Sequence, residues 1–167
     1  LTLGVRKRRS FNSHALKVPS VPRLFCDLDG VLADFDAGLE RACGQVPSTL
    51  RSLQAQWHVV AGAPDFFREL PWTENGQQLW ASICEGRLGH AAPPVILTGL
   101  PLDSLGERAA FQKRQWCEKH LGPRIEVICC MSREKAAYAK PGDVLIDDSE
   151  RLRVAWEAKG GVFVHYT

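Results

Sequence analysis

"LFCDLDGVLADFD", residues 24–36, sets four carboxylates, Asp27, Asp29, Asp34 and Asp36, within ten positions. Asp27 and Asp29 follow directly on the apolar run Leu24-Phe25-Cys26, which has the length and composition of a strand buried on both faces. A strand that ends in mutually repelling acids needs a reason for them. One reason is local: Asp-Gly is ordinary turn chemistry. The other is that the acids meet further charges at the same edge of a sheet.

The rest of the chain favours the second reading. Further short apolar runs occur at 94–97 ("PVIL"), 125–129 ("IEVIC"), 144–146 ("VLI") and 162–164 ("VFV"). Between them lie helix-compatible stretches, "SLGERAAFQKRQWCEKHLG" and "SERLRVAWEAKGG", the latter with Ser149 as an N-cap and Gly160-Gly161 as a stop. Strands alternating with helices predict an α/β, Rossmann-like parallel sheet with helices on both faces. Parallel strands all point the same way, so Asp27-Leu28-Asp29-Gly30, Thr98-Gly99 and Asp147-Asp148 converge on one carboxyl edge. Carboxylates gathered there call for a hard, oxygen-preferring cation, which predicts Mg²⁺ rather than a zinc centre. The six cysteines form no C-x-x-C pair, and Cys26, Cys129 and Cys130 read as small hydrophobes of a protein in a reducing compartment.

One interval breaks the alternation. Residues 34–92 contain no strand-like run but hold Trp57, Phe66, Phe67, Trp72 and Trp80, punctuated by Pro47, Pro64 and Pro71. Such a stretch is too long for a simple connection and predicts a small helical cap inserted after the first strand, above the carboxyl edge.

Bulk properties bound the rest. A chain of 167 residues suits one domain, here 23–167, able to bury about 70% of its unfolded surface. Residues 1–26 carry Arg6, Lys7, Arg8, Arg9, Lys17 and Arg23 and no acid; taking those six from the 21 basic residues leaves 15 against 19 acids, a net −4. A body of that charge is not expected to hold a stable nucleic-acid partner. No apolar run reaches the roughly 20 residues of a membrane span, so no membrane partner is expected. Residues 1–22 read as a basic, unstructured leader: a transit peptide to a mitochondrion or plastid, or a plain tail on a cytoplasmic protein. A homodimer is left open.

Taken together, "DLDGV" after an apolar strand, "ILTG", a later lysine and "GDVLIDD" resemble the four ordered motifs of the haloacid dehalogenase superfamily of phosphotransferases, across residues 24–165. Within it, "DLDGVLADF" with "FFRELPW" resembles the 5′(3′)-deoxyribonucleotidase group, while "ILTGLP", "KRQWCEKHLG" and "GGVFVHY" are similar to other phosphatase-like members. The resemblance implies a Mg²⁺-dependent phosphomonoesterase acting through an aspartyl-phosphate on a small phosphorylated substrate, a nucleoside monophosphate foremost. Asp27 would be the nucleophile and Asp29 the general acid and base. Thr98 and the Gly99 amide would hold phosphoryl oxygens. Lys135, in preference to Lys140, would supply the ammonium. Asp27, the Asp29 carbonyl, Asp147 and Asp148 would hold the metal, and Gly30 would let the backbone approach the phosphate. Phe35, Phe67 and Trp72 are the expected substrate-facing rings. Arg108, Lys113 and Arg114 read as a solvated helix face, and His58, His90, His120 and His165 as structural. The alternatives are a phosphatase of polynucleotide ends or phosphosugars, a D-x-D transferase, or a silent binding module on the same fold.

Overall fold

The computed structural model describes residues 21–44, 52–87, 92–102 and 104–167; the basic leader up to residue 20 lies outside them. Five strands, β1 (Leu24–Cys26), β2 (Val95–Gly99), β3 (Glu126–Cys130), β4 (Val144–Asp147) and β5 (Val162–His165), form one parallel sheet in the order β3-β2-β1-β4-β5. The order places β1 at the centre, flanked by β2 and β4, which are the strands that end in Thr98-Gly99 and Asp147.

Side-chain alternation divides the core between two faces. Leu24 and Cys26 of β1, Ile96 of β2 and Ile146 of β4 pack with Ala109, Trp116 and Cys117 of helix α4 (Leu105–Leu121). Phe25, Val95, Leu97 and Leu145 point the other way, toward Trp156 of the short helix α5 (Arg153–Glu157). Helices therefore cover both faces, as the continuous apolar runs require. α4 begins one residue after Ser104 as the sequence predicts, but the second stretch does not. Ser149 makes no side-chain cap; a 3₁₀ turn (Glu150–Leu152) comes first and α5 starts only at Arg153. The Ser149 amide is occupied elsewhere, donating to Asp147 Oδ1 at 2.8 Å.

Between β1 and β2 the described residues form three helices, α1 (Phe35–Cys43), α2 (Leu53–Gly62) and α3 (Gly76–Cys84). Asp34 caps α1 by accepting from the Ala37 amide at 2.9 Å. The ring of Phe35 meets Trp57 at 5.9 Å and Phe66 at 5.2 Å, and Phe66 meets Phe67 at 5.1 Å, so aromatic packing fastens α1 to α2 and to the loop beyond. The excursion is stitched shut where it began. Asp34 N donates to Pro71 O at 2.8 Å, Thr73 N to Leu32 O at 2.8 Å and Thr73 Oγ1 to Val31 O at 2.7 Å. Among the described residues no helix is long and apolar enough to cross a membrane.

Candidate active site

β1 ends at Cys26, and the Asp27 amide still donates to Ile146 O at 2.9 Å, so the first carboxylate is held level with the last residues of β4. The chain then turns sharply. Leu32 N and Ala33 N both donate to Leu28 O, and Gly30 takes a φ of 77°. A side chain at Gly30 would be strained at that angle, and its Cβ would fall 2.5 Å from Asp148 Oδ2. The turn thus brings Asp29 round beside Asp27 and presses its own backbone against the end of β4.

Asp27, Asp147 and Asp148 offer carboxylate oxygens within 4.8 Å of one another. Lys135, from a 3₁₀ segment (Ser132–Tyr138), is 2% exposed and bridges two of them, 2.9 Å from Asp27 Oδ2 and 2.7 Å from Asp147 Oδ2. Burial opposes its charge, but the Asp27 and Asp147 carboxylates outweigh burial and raise its pKa, so the ammonium stays protonated. Lys140 is exposed, its backbone amide bonded to Asp143. One ammonium does not balance three acids. Burial and then the Asp27 charge raise Asp147, while lost solvation and then Asp27 and Asp147 push Asp148 up to about 6. Such mutual frustration in an all-oxygen donor set suits a hard divalent cation and leaves no soft ligand for zinc.

Asp29 stands apart from that cluster. Its Oδ2 lies 2.6 Å from the ammonium of Lys113 on α4. Lys113 is fully buried and also donates to Thr98 Oγ1 at 3.0 Å and Gly99 O at 2.5 Å. This overturns the solvated reading of Lys113. Positions 109, 112, 113, 116 and 117 form the buried stripe of α4, and Lys113 belongs to it. Of its neighbours, Arg114 stays exposed, whereas Arg108 is half-buried and donates to Val60 O and Ala61 O in the last turn of α2. Thr98 is wholly buried, with Gly99 at the pocket wall beside Ser132, whose Oγ a Cβ at Gly99 would strike.

These groups open into a cavity of about 560 Å³ lined by Asp27, Asp29, Gly30, Gly99, Lys135, Asp147 and Asp148 at its floor. Phe35, Leu53 and Trp57 form an apolar wall, and Ser132, Ser149 and Arg151 the opposite rim. Two of the three expected substrate rings are elsewhere. Phe67 is 3% exposed and lies under the Lys113 ammonium, 4.9 Å from its ring centre, so it belongs to the core. Trp72 packs on α4, against Trp116 at 4.9 Å and His120 at 5.6 Å, because Ala33 pairs with it and turns the ring away from the cavity. Trp57 takes the place foreseen for them. His165 is structural, its Nε2 2.9 Å from Asp148 O.

The fold is similar to that of a solved haloacid dehalogenase-like family hydrolase of Streptococcus pneumoniae. That structure superimposes with a TM-score of 0.56 at 14% identity, covering 88% of this chain and 85% of the other. The likeness is one of fold, and the chain carries the fold of that hydrolase. In sequence it is 26% identical over 155 residues to the cytosolic 5′(3′)-deoxyribonucleotidase of Homo sapiens, over 78% of this chain and 72% of the relative. A second hydrolase structure, from Streptococcus pneumoniae TIGR4, gives a TM-score of 0.47 at 14% identity, covering 88% and 93% of the two chains. No protein-family model matches the chain.

Proposed function

We propose that this protein is a Mg²⁺-dependent phosphomonoesterase that forms an aspartyl-phosphate on Asp27 and acts on nucleoside monophosphates. The observation that carries the reading is the pairing, on one cavity floor, of a carboxylate trio short of positive charge with a separate carboxylate, Asp29, whose Oδ1 has no partner. The trio would hold the cation, Asp27, Asp147 and Asp148 as ligands, and the cation supplies the charge that lets an anionic nucleophile approach a phosphate dianion. Asp27 attacks phosphorus while the bond to the leaving oxygen breaks. Asp29 gives that oxygen its proton and then takes one from the water that splits the aspartyl ester, releasing phosphate. Lys135 screens the entering charge and keeps Asp27 aimed, since it grips Asp27 and Asp147 together.

Substrate choice rests on the wall. Trp57, with Phe35 edge-on behind it, faces the cavity that the phosphate would enter. A base stacked there gains about 1–3 kcal/mol, a preference of roughly five- to over a hundredfold against an ester without a ring. The human relative, a 5′(3′)-deoxyribonucleotidase by name, supports the same reading. The test is kcat/KM for a nucleoside monophosphate and for a phosphosugar, in Mg²⁺ and in chelator, with and without Trp57. Chelation should abolish both activities, and Trp57→Ala should narrow the gap between substrates by most of that factor. Equal proportional losses on both would remove the nucleotide preference, and full activity in chelator would remove the metal.

A further inference from the structure

The phosphomonoesterase reading leaves one buried cation unassigned. Lys113 has no exposed surface, sits 14 residues along the chain from Gly99, and spends all three of its N–H donors on Asp29 Oδ2, Thr98 Oγ1 and Gly99 O. Burying an ammonium is costly unless every donor is satisfied, and here each one is, with the Phe67 ring beneath at 4.9 Å. A core that needed only packing would be served by an apolar side chain of the same length. The carboxylate it grips is asymmetric: Asp29 Oδ2 is held by Lys113, while Oδ1 is, among the described residues, the one buried side-chain oxygen or nitrogen without a hydrogen-bond partner.

We propose that Lys113 is a positioning residue that holds Asp29 in place to handle the substrate's proton. An ammonium can only donate, so the oxygen it faces must accept and cannot carry a proton toward it. Asp29 lines the cavity, and the grip of Lys113 on Oδ2 fixes how its carboxyl is turned there. The same three bonds tie Asp29 to the end of β2, because Thr98 and Gly99 share the ammonium. The acid is thereby fixed against the strand end that borders the phosphate's place, independently of the Asp27 cluster. As the phosphorus–oxygen bond breaks, its electron pair goes to the leaving oxygen. That oxygen takes the Asp29 proton, and the new bond is from phosphorus to Asp27.

The inference rests on Asp29 acting as the acid, and leaving-group dependence tests it. An alkoxide leaving group needs that proton, whereas 4-nitrophenolate departs with little help. Lys113→Met in the full chain, assayed with Mg²⁺, should lose about 100-fold or more in kcat/KM on a nucleoside monophosphate and about tenfold or less on 4-nitrophenyl phosphate. Asp29→Asn should show the same selectivity, and adding Lys113→Met to Asp29→Asn should cost little more on the alkyl ester. Equal losses on both esters, or full additivity in the double variant, would overturn the proposal and make Lys113 a packing residue. Lys113→Gln, which keeps a donor for Gly99 O, stands in if the methionine variant does not fold; failure of both to fold would also assign Lys113 to folding and overturn it. An inactive wild type on both esters would instead bring down the phosphomonoesterase reading, and this inference with it.

Discussion

Two buried lysines brace the two halves of one carboxyl edge and leave opposite charge balances behind. Lys135 lies among Asp27, Asp147 and Asp148, one ammonium against three acids. Lys113 faces Asp29 alone, one against one, and fills its remaining donors with a hydroxyl and a carbonyl. The first half carries unbalanced negative charge, which is why the proposed function seats a cation there. The second is balanced in charge and does not call for one. On the proposed function the two tasks, holding a metal and holding a dischargeable proton, are separated in this way, because a proton donor inside the carboxylate trio would compete with the ion for the same oxygens.

The largest effect that would break this division is at Asp27. Asp27→Asn should lower phosphate release by about 10³-fold or more, the scale seen when a nucleophile is removed, while the thermal melt stays at or above that of the wild type. The amide can still accept from the Leu28 amide, now at 2.8 Å from Oδ1, and it relieves repulsion with Asp147. Residual activity near wild type would mean that the half with the unbalanced charge is not where bond-making occurs.

Next in size is the loss of a brace. Lys135→Met strands two buried carboxylates and should cost about 3–5 kcal/mol in denaturant unfolding without metal, with part of the loss restored by Mg²⁺. Lys113→Met strands one carboxylate that is a quarter exposed, and should cost less and respond less to Mg²⁺. The same cost and the same Mg²⁺ response in both variants would erase the distinction between the halves.

The smallest effect is in pH. Asp147 and Asp148 titrate higher in the fold than in the unfolded chain, Asp148 at about 6. The folded state therefore binds the extra protons, and this part of the stability is present at low pH and lost as pH rises through about 6. Mg²⁺ binds the ionised form and reverses the trend. The difference in Tm between Mg²⁺ and chelator should accordingly grow from pH 5 to pH 7, by a few degrees. A difference that is flat across that range would show the trio is not the ion's seat.

Much of this edge is legible in the sequence because the acids and the threonine stand at the ends of apolar runs, and a parallel sheet can only bring such ends together. The sheet and its covering helices follow from the same runs. Lys113 was hidden by its company. Set among Arg108, Arg114 and Lys119 it looks like one more solvated charge, yet its spacing from Ala109, Trp116 and Cys117 matches the apolar stripe of α4 and was the available signal. The cap rings resisted for a different reason. Phe67, Trp72 and Trp57 are alike as residue types, and which one faces the cavity is settled by contacts made far along the chain, with Lys113, Trp116 and Phe35.

The stitch that closes the insertion, Asp34 N to Pro71 O and Thr73 N to Leu32 O, has a consequence for how this molecule can vary. With its two feet pinned side by side, the segment between them is, in polymer terms, a closed loop whose entropy changes only logarithmically with contour length. Doubling such a loop costs about 0.6 kcal/mol. Residues can therefore be gained or lost in the connections between its helices at small thermodynamic cost without shifting the strand ends below. The reach of the wall over the cavity is free to drift between related chains while the floor keeps its register.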